Sequence, residues 1–137
     1  MSAQIQPYTE SNSRKAVAAE LQKVLADTFA LYFKTHSYHW NVEGQRFRSL
    51  HEMFEEQYTE MWQAIDEIAE RLRAMDVYAP TSLKNLLENA GLAEEAKNPD
   101  ADAMVNNLAD DHSQLAATLA NAVSVAEEAG DNATADM

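Results

Sequence analysis

Apolar positions in this chain recur in steps of three and four along three long stretches. The first carries Val17, Leu21, Val24, Thr28 and Leu31 on one stripe, and that period predicts a helix over about 13–40. Ser11-Asn-Ser13 supplies candidate caps at its start. Asn41-Val-Glu-Gly44 breaks the pattern. A second stripe follows, Leu50, Phe54, Tyr58, Met61, Ile65, Ile68, Leu72 and Met75, predicting a helix over about 47–76 that Val77-Tyr-Ala-Pro80 ends. Thr81-Ser82 then reads as the cap of a short helix over about 82–89. Asn98-Pro99 is a cap followed by a first-turn proline, and Met104, Leu108, Leu115, Leu119, Ala122 and Ala126 continue it as a helix over about 98–129, closed by Gly130. At 1.5 Å per residue the long helices span about 40–48 Å each. No segment alternates as a strand. The class is all-α at bundle proportions.

Residues 1–10 read as a flexible tail and 11–137 as one helical domain. Asp131 or Asn132 reads as the cap of a further helix, starting from 131, whose remainder does not follow. Two architectures fit: a closed three-helix bundle, or a four-helix bundle with its last helix missing. The second is preferred, although such a bundle exposes part of its apolar stripe.

Composition narrows the chemistry. A length of 137 residues suits one domain with a real core. Cysteine is absent, which removes disulfide and thiolate chemistry and fits a reducing setting. No apolar run approaches a membrane span, and the first residues lack the basic-then-apolar order of a signal peptide, so a soluble cytoplasmic protein is expected. The net charge is −13, and from Asn85 onward Lys97 is the sole Lys or Arg against eleven acids. Such a surface repels nucleic acid and attracts cations. By itself it signals solubility; a metal site elsewhere gives it a second meaning.

The candidate chemistry is a row of metal-type ligands, His39, His51, Glu55, Asp66 and Glu70. Helical residues advance by about 100°. With His51 as origin, Glu55 falls near 40°, Asp66 near 60° and Glu70 near 100°, a stripe bordering the core, with Tyr58 and Trp62 within it. His51 and Glu55 stand one turn apart and can share an ion, as can Asp66 and Glu70. Between the pairs lie about 16–17 Å of helix, far beyond metal–ligand bonds of about 2.0–2.6 Å. Taken singly, each i,i+4 pair is usually a solvated surface pair. The Glu-x-x-His tetrapeptide of bundles with di-iron cores does not occur. His36 reads as an exposed neighbour of His39, and His112, near the core stripe beside Asp110-Asp111, as structural.

A second chain resolves the distance problem. If the second helix packs antiparallel on its own copy, with the two-fold axis near Glu60-Met61, position 51 faces 70 and position 55 faces 66. That isologous dimer makes two identical sites, each with His51 and Glu55 from one chain and Asp66 and Glu70 from the other. His39 can reach back as a further ligand. Two imidazoles and three carboxylates suit Fe(II), Mn(II) or Zn(II), and mixed N/O ligation on an acidic protein leans toward iron.

The stretch His39-Trp-Asn-Val-Glu-Gly-Gln-Arg-Phe-Arg-Ser-Leu-His51-Glu-Met-Phe-Glu55, followed by Ile65-Asp66-Glu-Ile-Ala-Glu70-Arg-Leu72, resembles the Dps proteins, miniferritins of the ferritin-like superfamily. The likeness runs from about residue 15 onward and includes the short helix from Thr81-Ser-Leu. It implies a four-helix subunit with a short helix in the second connection, twelve subunits in a hollow shell, and a di-iron ferroxidase centre shared at a two-fold interface. It implies His39, His51 and Glu55 from one chain, Asp66 and Glu70 from its mate, and Trp40 and Trp62 near the centre. The family often has Asp where this chain has Glu55. Asp131 and Asp136 become candidates for acidic three-fold pores.

The expectation is therefore a cytoplasmic, homo-oligomeric ferroxidase and iron store. It would oxidise Fe(II), with hydrogen peroxide more than O₂ as oxidant, and hold Fe(III) mineral in its cavity, protecting against oxidative stress. Two other readings stand beside it: a nucleoid-protecting DNA-binding protein with secondary iron chemistry, and a structural helical dimer without catalysis. DNA binding is not favoured, since the tail offers only Arg14 and Lys15, near Glu10.

Overall fold

The computed structural model describes residues 11–137; the tail expected over 1–10 lies outside them. Five helices follow in order: α1 (Ser11–Asn41), α2 (Phe47–Ala74), α3 (Leu83–Glu88), α4 (Ala101–Glu128) and α5 (Asn132–Ala135). No strand occurs among the described residues, and no helix is long and apolar enough to cross a membrane.

Helix α1 is the shared wall. Both α2 and α4 pack along it, and α3 rests on it, while α2 and α4 do not pack on each other along their lengths. This excludes the closed three-helix bundle, in which every pair would meet. The arrangement is that of a ferritin-like bundle with α1 between its two neighbours. Buried apolar residues form two clusters: Val17, Leu21, Leu25, Ile68 and Leu72 toward one end, and Leu31, Tyr38, Phe54, Met104 and Leu108 toward the other. Phe54 and Leu72 are fully buried, each contributing about 1.5–3 kcal/mol of apolar transfer.

The expected stripes of α1 and α2 face this core. On α4, Leu119 departs from expectation: it is 43% exposed. It lies about 40° off the centre of the Leu108–Leu115–Ala122 stripe. His112 also differs from expectation. It is exposed, because the stripe turns its position to the outer face.

Side chains cap the starts of α3, α4 and α5. Ser11, Asn12 and Ser13 lie inside α1 rather than capping it, because the first turn extends over them. Helix α2 stops at Ala74, and Asp76 adopts φ 62°, a left-handed conformation that aspartate tolerates. Ser82 caps α3 as expected, accepting from the Asn85 amide. Helix α4 begins later than Asn98-Pro99 suggests: Asp100 is the cap, accepting from the Ala103 amide at 2.8 Å. Its carboxylate also suits the positive end of the helix dipole.

Polar ties fix the long second connection. The buried Asp27 accepts from the amides of Gly91 (2.6 Å) and Leu92 (3.3 Å) and from the Thr118 hydroxyl (3.3 Å). Lys34, also buried, donates to Asp111 at 2.8 Å. Tyr38 donates to Glu95 at 2.6 Å, and Asn107 donates to both. These contacts hold α1 and α4 in one register and so fix the end of α1 that carries His39.

Candidate metal centre

His39 sits in the last turn of α1 and His51 near the start of α2. The reversal between them needs Gly44 at φ 110°, a conformation that side-chain-bearing residues rarely adopt, and Val42 is buried beneath the turn. The turn stacks the two imidazoles at 3.7 Å between centroids and 14° between planes.

The rings are locked by a reciprocal pair of hydrogen bonds. His39 Nδ1 lies 2.8 Å from the His51 carbonyl, and His51 Nδ1 lies 2.7 Å from the His39 carbonyl. A carbonyl can only accept, so each Nδ1 carries a proton, and in the neutral imidazole each Nε2 keeps the lone pair. This is the second-shell arrangement that orients imidazole ligands for a metal. It also satisfies the His39 carbonyl, one of the acceptors left without an intrahelical partner at the end of α1.

One turn along α2, the exposed Glu55 joins them. Ligand atoms of His39, His51 and Glu55 all lie within 4.8 Å of one another. That is one half of the predicted ligand row, assembled within a single chain.

Asp66 and Glu70 form a separate pair further along α2. Both are exposed. A hydrogen bond with Asp66, reinforced by that carboxylate's charge, raises the Glu70 carboxyl above its ordinary range. Two carboxylates in such contact favour a shared proton or a cation between them. The chain does not bring this pair into the His39–His51–Glu55 group.

An aromatic wall flanks the three-ligand group. His36 stacks on Tyr58 at 3.8 Å and 11°, lies 4.2 Å from Trp40 and 5.8 Å from His39, and hydrogen-bonds Tyr32 through Nδ1 at 2.9 Å. Burial, then the neighbouring His39, lowers its pKa. His36 is thus not the exposed neighbour its sequence position suggests. The signal that could have placed it is the i,i+4 series Tyr32–His36–Trp40 facing Tyr58 and Trp62 across α2. Burial and the nearby Glu55 push the Tyr58 phenol up. Trp40 touches His36, and Trp62 connects through Tyr32 at 5.4 Å.

The two pore candidates separate. Asp136 is exposed. Asp131 is 1% exposed, caps α5 through the Thr134 amide and hydroxyl, and pairs with Arg71 of α2 at 3.0 Å. Its carboxylate is a structural clasp in this chain, because the turn at Gly130, φ 74°, points it inward.

Comparison with known proteins identifies the family and the fold. The ferritin-like domain model matches residues 18–137. General stress protein 20U of Bacillus subtilis is 41% identical over 117 residues, 85% of this chain and 81% of that protein. The DNA protection during starvation protein of Brevibacillus brevis is 39% identical over 128 residues, 93% of this chain and 86% of that protein. Among solved structures, a Dps protein from Bacillus brevis superposes with TM-score 0.90 at 39% identity, covering 94% of this chain and 87% of that one. A Vibrio cholerae O1 Dps protein, described as a member of a broad superfamily of ferritin-like diiron-carboxylate proteins, gives TM-score 0.89 at 29% identity, covering 99% and 87%.

Proposed function

The chain belongs to the Dps family of ferritin-like proteins, and from that premise we propose that it is a ferroxidase and iron-storage protein whose centres are shared between two subunits. The observation that carries this is the split ligand row. His39, His51 and Glu55 converge within 4.8 Å, while Asp66 and Glu70 pair separately on the same straight helix, about 16–17 Å on. Each half is too poor for a paired-iron site. Together they offer two imidazoles and three carboxylates.

An antiparallel α2–α2 dimer brings the halves together twice, once on each side of its axis. Fe(II) is the substrate. His39 and His51 offer it neutral Nε2 donors, and the carboxylates favour the Fe(III) product by charge. Hydrogen peroxide, in preference to O₂, accepts one electron from each of two Fe(II) ions and, with two protons, leaves as two waters. No hydroxyl radical is released, and Fe(III) passes to a mineral inside a shell of twelve subunits. Asp136 remains a candidate for an acidic entry pore. The setting is the bacterial cytoplasm.

Anaerobic Fe(II) titration, followed by stopped-flow peroxide, tests this. About two Fe(II) per centre are expected, with loss of fast oxidation in His51→Ala/Asp66→Ala. Equal oxidation by that variant sinks the proposal and favours a structural helical dimer. Direct DNA binding is not favoured, because a net charge of −13 opposes it. A mobility shift at low salt without Mg²⁺ would reverse that judgement.

A further inference from the structure

Phe47 opens α2. It is 43% exposed and lies in neither buried cluster. A single apolar side chain at a surface is ordinary, so its exposure alone carries nothing. Its ring contact does. One helical turn on, the His51 imidazole lies nearly parallel to it, at 4.8 Å between centroids and 23° between planes. His51 is also stacked on His39, at 3.7 Å and 14°. Phe47 and His39 do not touch each other as rings, so they take opposite faces of His51.

Resting on the iron reading above, we propose that Phe47 is a positioning residue for that site. It is the outer jaw of a clamp that holds the His51 imidazole with its ligand atom toward those of His39 and Glu55. An imidazole turns about the bond that joins it to its methylene, and the turn sweeps the ring out of its own plane. A ring with a parallel neighbour on each face cannot make that turn until one neighbour withdraws. His39 is held in place, since it is buried and its own Nδ1 is tied to the His51 carbonyl. Phe47 is the jaw that can be removed without touching a ligand. Its buried neighbour Leu50, three residues on, anchors the turn that carries it.

The two imidazoles need this support unequally. His39 is buried, and the Tyr58 ring meets it edge-on at 5.2 Å and 72°. His51 is only partly buried. Water competes for its Nδ1 bond to the His39 carbonyl, 2.7 Å long, and a water that wins it releases the ring. The phenyl face over His51 offers neither donor nor acceptor on that side. A leucine fills similar space without a flat face, so the position uses shape as well as bulk. The competing role for an exposed phenyl is a subunit contact, and that role would not single out one histidine.

The test is Co(II) titration of the assembled full chain, followed by absorption and by proton NMR of the Co(II)-loaded protein, where the N–H protons of bound imidazoles shift far outside the ordinary range. The parent should show two such exchangeable signals, from the Nδ1–H groups of His39 and His51. Phe47→Leu should weaken Co(II) binding about three- to tenfold. It should also lose one of the two signals to exchange with solvent and keep the other. Phe47→Tyr, which restores a flat ring, should return both the affinity and the signal. Phe47→Met takes the place of Phe47→Leu if that variant does not assemble, and failure of both to assemble makes Phe47 a subunit contact and overturns the proposal. Parent-like affinity in Phe47→Leu, an equal loss in Phe47→Tyr, both signals lost together, or fewer than two signals in the parent also overturns it, while leaving the iron reading intact. A parent that binds neither Co(II) nor Fe(II) is a different result and removes both.

Discussion

The two halves of α2 carry equivalent chemistry in opposite states. The first half presents His51 and Glu55 beside His39, a three-residue ligand group within one chain. Its imidazoles are stacked, and their protons are fixed by two hydrogen bonds to backbone carbonyls. The second half presents Asp66 and Glu70 exposed, holding only each other. One half is preorganised within the monomer and the other is left open. The costly part of a metal site is orienting its ligands, and here the imidazole half is already oriented; in the proposed dimer a second copy would bring the carboxylates.

The largest expected effect tests whether the halves belong to one site. His51→Ala and Asp66→Ala should each slow Fe(II) oxidation by more than the roughly 10–100-fold that loss of a supporting hydrogen bond costs a metal site. Co-assembly of the two variants distinguishes a shared site from two separate ones. A mixed dimer contains one doubly damaged centre and one intact centre, so part of the activity should return. If each half works alone, mixing restores nothing, and the comparison between halves loses its meaning.

The second half depends on a clasp rather than on ligands. Asp131 pairs with Arg71, the residue after Glu70, and caps α5. Asp131→Ala removes a cap and takes the carboxylate partner from a guanidinium that is 23% exposed and still donates to Thr134. Because solvent reaches that guanidinium, the loss should be about 2 kcal/mol, below the range for fully buried pairs. Urea unfolding should show it, and hydrogen exchange should show loosening concentrated after Ile65. Uniform loosening of α2 would mean that the halves are not separately supported.

Glu55→Asp probes the first half more gently. It shortens the one exposed member of the three-ligand group by a methylene and keeps its charge. Fe(II) affinity should change by about tenfold or less, with His51 and His39 geometry intact. A loss as large as that of His51→Ala would show that Glu55, rather than the locked imidazoles, organises this half.

How much of this contrast could be read in the sequence follows from the range of each interaction. The helices and the ligand row were legible because both depend on spacing along one chain: Leu50, Phe54, Met61, Ile68 and Leu72 fall on the buried face, and 51, 55, 66 and 70 fall beside it. The start of α4 lies a few residues later than the sequence suggests because Asn98-Pro99 and Asp100 are both good caps, and only the structure shows which side chain meets an amide. The reciprocal histidine bonds, the buried role of Asp131 and the stacking of His36 were not legible. Each depends on how a turn or a neighbouring helix points a side chain. Gly44 and Gly130 announce a turn, but neither says what the turn aims.

The smallest expected effect concerns the support beneath the first half. Tyr38 precedes His39, packs on Phe54 at 6.2 Å and donates to Glu95. Burial, and then its bond to Glu95, raise the Tyr38 phenol well above its usual value, while the same bond lowers Glu95. The folded state therefore holds the Tyr38 proton after the unfolded chain has released it. Stability from this group is complete below the unfolded phenol pKa of about 10 and declines as pH rises from there toward the folded value. Lys34 and Asp111 face the same network. Tyr38→Phe should cost about 1 kcal/mol at neutral pH through the lost hydrogen bond and should flatten the alkaline limb of the stability profile above about pH 10. Fe(II) binding should weaken only slightly, since the imidazole lock is made by backbone carbonyls. An alkaline limb as steep in Tyr38→Phe as in the parent would move the source of that limb to Tyr58, on the ligand side of α2, and the first half would then owe its rigidity to the site itself rather than to the network below it.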